Sequence, residues 1–191
     1  MGNEITVKLK CDIKELCDLL EDKGFKIVEK FTLDDTYFTP KELKLNEMSY
    51  REILGKAILL RDIAETMPKR RTIQLTFKNK QIDNNGDILK QNKIDCEILE
   101  TESGKAFLEA IGYQRLMRIK ENDIVYEKEG LKIAIKDILN GDKLIEIETV
   151  EKDENLNTVD KLKQQVNELN IPIDITDYFV KKAEIELEKI L

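Results

Sequence analysis

The chain has 191 residues, 39 acidic and 32 basic side chains, a net charge of −7 and no histidine. Without histidine, Ser-His-Asp and Cys-His nucleophile systems and histidine-containing zinc sites are excluded, and the acidic total argues against general nucleic-acid binding. What remains is chemistry run by carboxylates, lysines and arginines with a hard divalent cation. Three cysteines, Cys11, Cys17 and Cys96, are too few for a disulfide framework and are expected to be buried small hydrophobes. No apolar run suits a signal peptide or a membrane span, so a soluble cytoplasmic protein with no membrane partner is expected.

Residues 4–11 alternate strictly, with Ile5, Val7, Leu9 and Cys11 on one face and Glu4, Thr6, Lys8 and Lys10 on the other. That period predicts a strand. Residues 12–23 switch to helical spacing, with Ile13, Leu16, Cys17 and Leu20 on one stripe. Asp12 with Glu15 reads as a capping box and Gly24 as the C-terminal stop. A strand over about 25–33 runs into Asp34–Pro40. Thr39, Pro40 and Glu42 signal a short helix that Ser49–Leu54 continues. Strands follow over 57–63 and 71–80, separated by a polar, basic connector. The run Asn84, Asn85, Gly86, Asp87 is a hairpin turn that returns the chain over 88–99.

A helix over 103–111 ends at Gly112. Residues 114–122, 123–138 (bent near Gly130) and 143–150 then read as strands, with a tight turn at 140–143. Two helices close the chain. Leu156, Val159, Leu162, Val166 and Leu169 form the stripe of the first, which Pro172 stops; the last starts at Thr176 and carries Phe179, Ala183, Leu187 and Ile190. With no repeat, linker or composition shift, residues 1–191 read as a single α+β domain.

The polar faces of these strands are charged rather than neutral. They carry Glu4, Lys8, Lys10, Arg61, Lys78, Lys93, Asp95, Glu97, Arg118, Lys120, Lys132, Lys136, Glu146 and Glu148, nine basic against five acidic in a chain that is acidic overall. Such a face is either the wet side of an antiparallel sheet or the lining of a sheet curled into a barrel. A lumen of this kind would suit a polyanion held by Lys and Arg together with Mg²⁺ or Mn²⁺ held by carboxylates. Glu146 and Glu148, two apart on one strand, point to the same side and favour a cation between them.

Taken together, the pieces resemble the CYTH superfamily, the triphosphate tunnel metalloenzymes, which includes class IV adenylate cyclases, thiamine triphosphatases and inorganic triphosphatases. The family's E-x-E-x-K strand is similar to Glu4-Ile5-Thr6-Val7-Lys8, and its D-x-Y segment to Asp35-Thr36-Tyr37. Its L-R-x-R region resembles Leu59-Leu60-Arg61-Asp62, and its next strand lysine corresponds to Lys78. The R-x-E-x-E strand is similar to Lys93-Ile94-Asp95-Cys96-Glu97, the K-x-R strand to Lys120-Glu121-Asn122, and the closing F-x-E-x-E strand to Leu144-Ile145-Glu146-Ile147-Glu148. The order and spacing agree from Glu4 to about Tyr178. Thr6 stands where the family has its second glutamate, Asn122 where it has an arginine, and Lys136 where it has an aspartate, with Asp137 adjacent.

The resemblance implies a closed or nearly closed antiparallel β-barrel tunnel of about eight strands with flanking helices. It implies a triphosphorylated small molecule gripped by Lys8, Lys10, Arg61, Lys78, Lys93, Arg118 and Lys120. It implies Mg²⁺ or Mn²⁺ on Glu4, Glu146 and Glu148, and catalysis by Glu4, Lys8, Glu146 and Glu148 as a class IV cyclase-like or triphosphatase enzyme. A polyphosphate-binding module that has lost catalysis is the alternative, and an interaction domain using its outer surface is a third. Residues 39–55, where the spacing departs most, are expected to cover one tunnel mouth. Self-association as a homodimer is left open.

Overall fold

In the computed structural model, residues 4–82, 88–149 and 159–191 are described, with side chains over 5–78, 93–147 and 160–191. The first alternation becomes strand β1 (Glu4–Lys8), followed by helix α1 (Ile13–Asp22) and the long strand β2 (Lys26–Pro40). A helical turn at Leu45–Glu47 leads to helix α2 (Tyr50–Gly55). Strands β3 (Ile58–Met67), β4 (Lys69–Ile82) and β5 (Ile88–Glu97) precede helix α3 (Thr101–Ala110). Strands β6 (Tyr113–Lys128), β7 (Leu131–Ile138) and β8 (Lys143–Thr149) then lead to helices α4 (Val159–Glu168) and α5 (Lys182–Glu188). The eight strands form one sheet in the order β1-β8-β7-β6-β2-β3-β4-β5, and the α+β class holds. Hydrogen bonding does not join the two end strands of that order, β1 and β5.

The contacts divide the chain into two compact units. The first comprises Met1–Thr32, Glu65–Arg70 and Glu121–Lys181; the second comprises Leu33–Ala64, Arg71–Lys120 and Lys182–Leu191.

In the first unit the core is a ladder of β-branched residues. Ile5 pairs with Ile147 and Val7 with Ile145 across β1 and β8, and the same two isoleucines pair with Ile133 and Ile135 of β7. All six are at most 1% exposed. Branched side chains fit a pleated surface well, and truncating any one to Ala costs about 2–5 kcal/mol. Leu16 and Leu20 of α1 and Leu162 and Val166 of α4 cover this face and are fully buried. The opposite face of the same strands carries the charges. The β6–β7 connection is a two-residue turn, because Lys128 pairs directly with Leu131. Glu129 and Gly130 both have positive φ, 50° and 82°, as a turn matching the strand twist requires.

The outer edge of β1 is not bare. Thr6 N–H donates to the Tyr178 carbonyl, Val180 N–H to that of Thr6, Asp174 N–H to that of Lys8 and Lys10 N–H to that of Pro172. An extended segment over 172–180 therefore occupies the place where a final helix beginning at Thr176 was expected. Asp174 and Asp177 hold it in local turns, accepting from Thr176 N–H at 3.1 Å and from Phe179 N–H at 2.8 Å. Helix α5 starts only at Lys182.

In the second unit Phe38, Leu60 and Leu108 form the core, with Ile58, Ile73, Leu75, Ile98 and Tyr113 packed around it. Helix α3 lies close to the sheet at Gly104. A Cβ there would stand 2.5 Å from Ile98 Cδ1 and 2.9 Å from Leu60 Cδ1.

Other local expectations need correction. β2 extends through Pro40, so no helix begins at Thr39; α2 is instead capped by Ser49, whose Oγ accepts from Glu52 N–H at 3.3 Å while Ser49 N–H donates to the Glu52 carboxylate at 2.8 Å. Asp12 precedes α1 but its side chain makes no capping bond. The connector expected between β3 and β4 is largely strand. Residues 114–128 belong to one strand rather than two. Cys96 is exposed, and Cys11 and Cys17 are half-buried. The hairpin at 84–87 and Leu156 lie outside the described residues.

Candidate functional site

In the second unit, strand alternation places Asp35 on β2, Arg61 on β3, Gln74, Thr76 and Lys78 on β4, and Lys93 and Asp95 on β5. Asp35 is 1% exposed. Arg61 grips it with two parallel bonds, Nε to Oδ1 at 2.7 Å and Nη2 to Oδ2 at 2.6 Å, the geometry that gives guanidinium–carboxylate pairs their strength. Asp95 stands opposite Thr76 in the β4–β5 register. Its carboxylate accepts from Thr76 Oγ1 at 2.6 Å and Gln74 Nε2 at 3.1 Å, and pairs with Lys93 Nζ at 2.8 Å. Desolvation alone would raise the Asp95 pKa. The bonds from Lys93 and Thr76 and the charges of Lys93 and Arg61 outweigh it and hold that pKa below the ordinary carboxylate range. One step along the ladder, Lys78 is the direct cross-strand partner of Lys93. Like charges placed directly opposite oppose strand pairing. Two expected phosphate ligands, Arg61 and Lys93, therefore act on one satisfied carboxylate, and a third, Lys78, is the register partner of Lys93.

In the first unit the charged face has another sign. Lys136 of β7 stands opposite Asp123 of β6, and its Nζ lies 3.2 Å from Asp123 Oδ2 and 3.5 Å from Glu146 Oε2 of β8. Glu121, two residues before Asp123 on the same side of β6, is 2% exposed, and Asp123 is 1% exposed. Burial lowers the Lys136 pKa, but Glu146, Asp123 and Glu121 outweigh it and hold the ammonium well above the ordinary lysine value. Lys8 is half-exposed and pairs with Asp142 at 2.7 Å; Lys10 is more exposed and pairs with Asp174 at 3.5 Å. The β1–β8 register sets Glu4 opposite Glu148, and β7 sets Lys132 beside Glu148.

Glu121 and Asp123 are the residues that the sequence reading missed. The buried row of β6 is Met117, Ile119, Glu121, Asp123 and Val125, one residue out of phase with an Arg118–Lys120–Asn122 row. A one-residue slip moves every side chain to the other face. Extending the Met117–Ile119 phase through Glu121 would have revealed them. Arg118 and Lys120 are exposed instead and converge on Asp34, at 2.5 Å and 3.0 Å. These bonds overcome desolvation and hold the Asp34 pKa below its usual range. Arg118 also lines a pocket of about 240 Å³ with Asp34, Thr36, Phe38, Lys105 and Arg115.

The metal implied for Glu4, Glu146 and Glu148 meets a different donor set. The Glu146 carboxylate faces the Lys136 ammonium, and its cross-strand neighbours are Thr6 and Ala134, neither an acid. Among the described residues no three acidic or cysteine side chains converge closely enough to hold a metal ion. The side chains of Glu4 and Glu148, the other two residues of the implied set, lie outside the described residues. No helix among them is long and apolar enough to cross a membrane.

No protein-family model and no curated protein sequence matches this chain. Solved structures do. The protein PH1819 from Pyrococcus horikoshii is 19% identical, with 99% of each chain covered and a TM-score of 0.71. A candidate adenylate cyclase from Vibrio parahaemolyticus is 14% identical, with 96% of this chain and 97% of its own covered and a TM-score of 0.62. HpAC1 from Hippeastrum, a candidate adenylyl cyclase described as having a dominant triphosphatase activity, is 17% identical, with 100% of this chain and 97% of its own covered and a TM-score of 0.61. At these identities the likeness is one of fold, and it extends over essentially the whole chain.

Proposed function

We propose that this chain binds a triphosphate-bearing small molecule. The observation that carries the reading is the cross-strand pair of like charges Lys78 and Lys93, with the Arg61 charge acting on Asp95, the ion-pair partner of Lys93. A polyanion turns that repulsion into attraction, and Asp35 already orients the guanidinium. The fold shared with HpAC1, whose described activity acts on triphosphates, supports the same class of ligand. Titration calorimetry with tripolyphosphate, ATP and thiamine triphosphate tests it. Micromolar binding of at least one, weakened about tenfold or more in Lys78→Ala (roughly 1.4 kcal/mol), is expected; no binding of any would overturn the reading.

A second reading adds turnover, as a cyclase-like or triphosphatase enzyme. The β1–β8 register favours it by setting Glu4 opposite Glu148. In that reading the cations offset charge on the phosphoryl group in flight and on its leaving group. Release of phosphate or pyrophosphate above a Glu148→Ala control is the expected outcome, and equal rates in the two proteins would remove turnover while leaving binding intact.

A further inference from the structure

We propose that Lys136 is a tethered cation that replaces a divalent metal ion on the acidic face of the first unit. The ammonium is supplied by the central strand of three. Asp123 reaches it from β6 at 3.2 Å and Glu146 from β8 at 3.5 Å, and Glu121 lies on the same side of β6. The register fixes this arrangement: Lys136 pairs with Asp123 on one side and with buried Leu144 on the other, so Glu146 is its diagonal neighbour.

Asp123 and Glu146, with Glu121 on the same side of β6, favour a cation between them. Magnesium and calcium would draw oxygens in to roughly 2.0–2.6 Å, about an ångström closer than the distances to Nζ. A divalent ion placed there would also sit against a buried positive charge with little water to screen it. The Lys136 side chain is 13% exposed, and leaving the site would take its ammonium from Asp123, which is 1% exposed. A covalently attached ammonium fills the position whatever the metal concentration, and it offers no open coordination place to a ligand. This holds whether or not a triphosphate is the ligand.

The test is Mn²⁺ binding, followed by electron paramagnetic resonance and calorimetry, to the full chain and to Lys136→Gln, Lys136→Arg and Asp123→Asn. Wild type and Lys136→Arg are expected to show no Mn²⁺ binding that depends on Asp123. Lys136→Gln is expected to gain a site at least tenfold tighter, lost again when Asp123→Asn is added. A folded Lys136→Gln protein that takes up no additional Mn²⁺ would overturn the proposal. Should Lys136→Gln fail to fold, wild type decides: Mn²⁺ binding that Asp123→Asn abolishes overturns the proposal, and binding unaffected by Asp123→Asn, or none, upholds it.

Discussion

The two units use paired charge in opposite ways. In the second, each carboxylate is the guest: Asp35 is clasped by Arg61, and Asp95 by Thr76, Gln74 and Lys93. In the first, the cation is the guest, and Lys136 is surrounded by Asp123, Glu146 and Glu121. One unit sets cations around carboxylates, and the other sets carboxylates around an ammonium. The chain's net −7 averages over this division.

The comparison is broken most severely by removing the guest cation. Lys136→Met leaves buried carboxylates with no ammonium and should lower stability by about 3–5 kcal/mol in urea denaturation; the same substitution on an exposed lysine would be near neutral. Arg61→Lys keeps the charge but loses the two parallel bonds to Asp35, for an expected loss of about 1–2 kcal/mol. Acidification separates the units further. Asp34 and Asp95 have depressed pKa values in the folded chain, so their contribution is present above the unfolded carboxylate value, roughly 3.9. It is lost as pH falls through the lower folded values. Stability should therefore drop as pH falls below about 4, and less steeply in Asp34→Asn. The smallest effect is expected from Arg118→Ala. Its partner Asp34 is one-quarter exposed and Arg118 nearly half, so the change should stay under about 1 kcal/mol.

Apolar alternation made most of the fold legible. Ile5, Val7, Ile133, Ile135, Ile145 and Ile147 announce three strands through a period of two, and the same phase places Lys8, Lys136 and Glu146 on the other face. Legibility failed where the buried face is itself polar. On β6 the row turns from Met117 and Ile119 to Glu121 and Asp123, so hydrophobicity gives no signal of which charged residues are buried. It failed again over 172–180, where helical spacing yields to Asx turns and to backbone bonds with β1. Both failures are tertiary: the first needs a partner strand to show which acids are enclosed, and the second a strand edge that must be covered. Cys96 lies on the end strand β5, where residues 93–97 are exposed on both faces.

The most direct test of triphosphate recognition without a metal is a calorimetric titration of tripolyphosphate into the wild-type chain with and without excess EDTA. The division of charge between the units predicts binding whose affinity changes by less than about twofold, or roughly 0.4 kcal/mol, when divalent ions are removed. Absence of binding, or an affinity that collapses under EDTA, would contradict it.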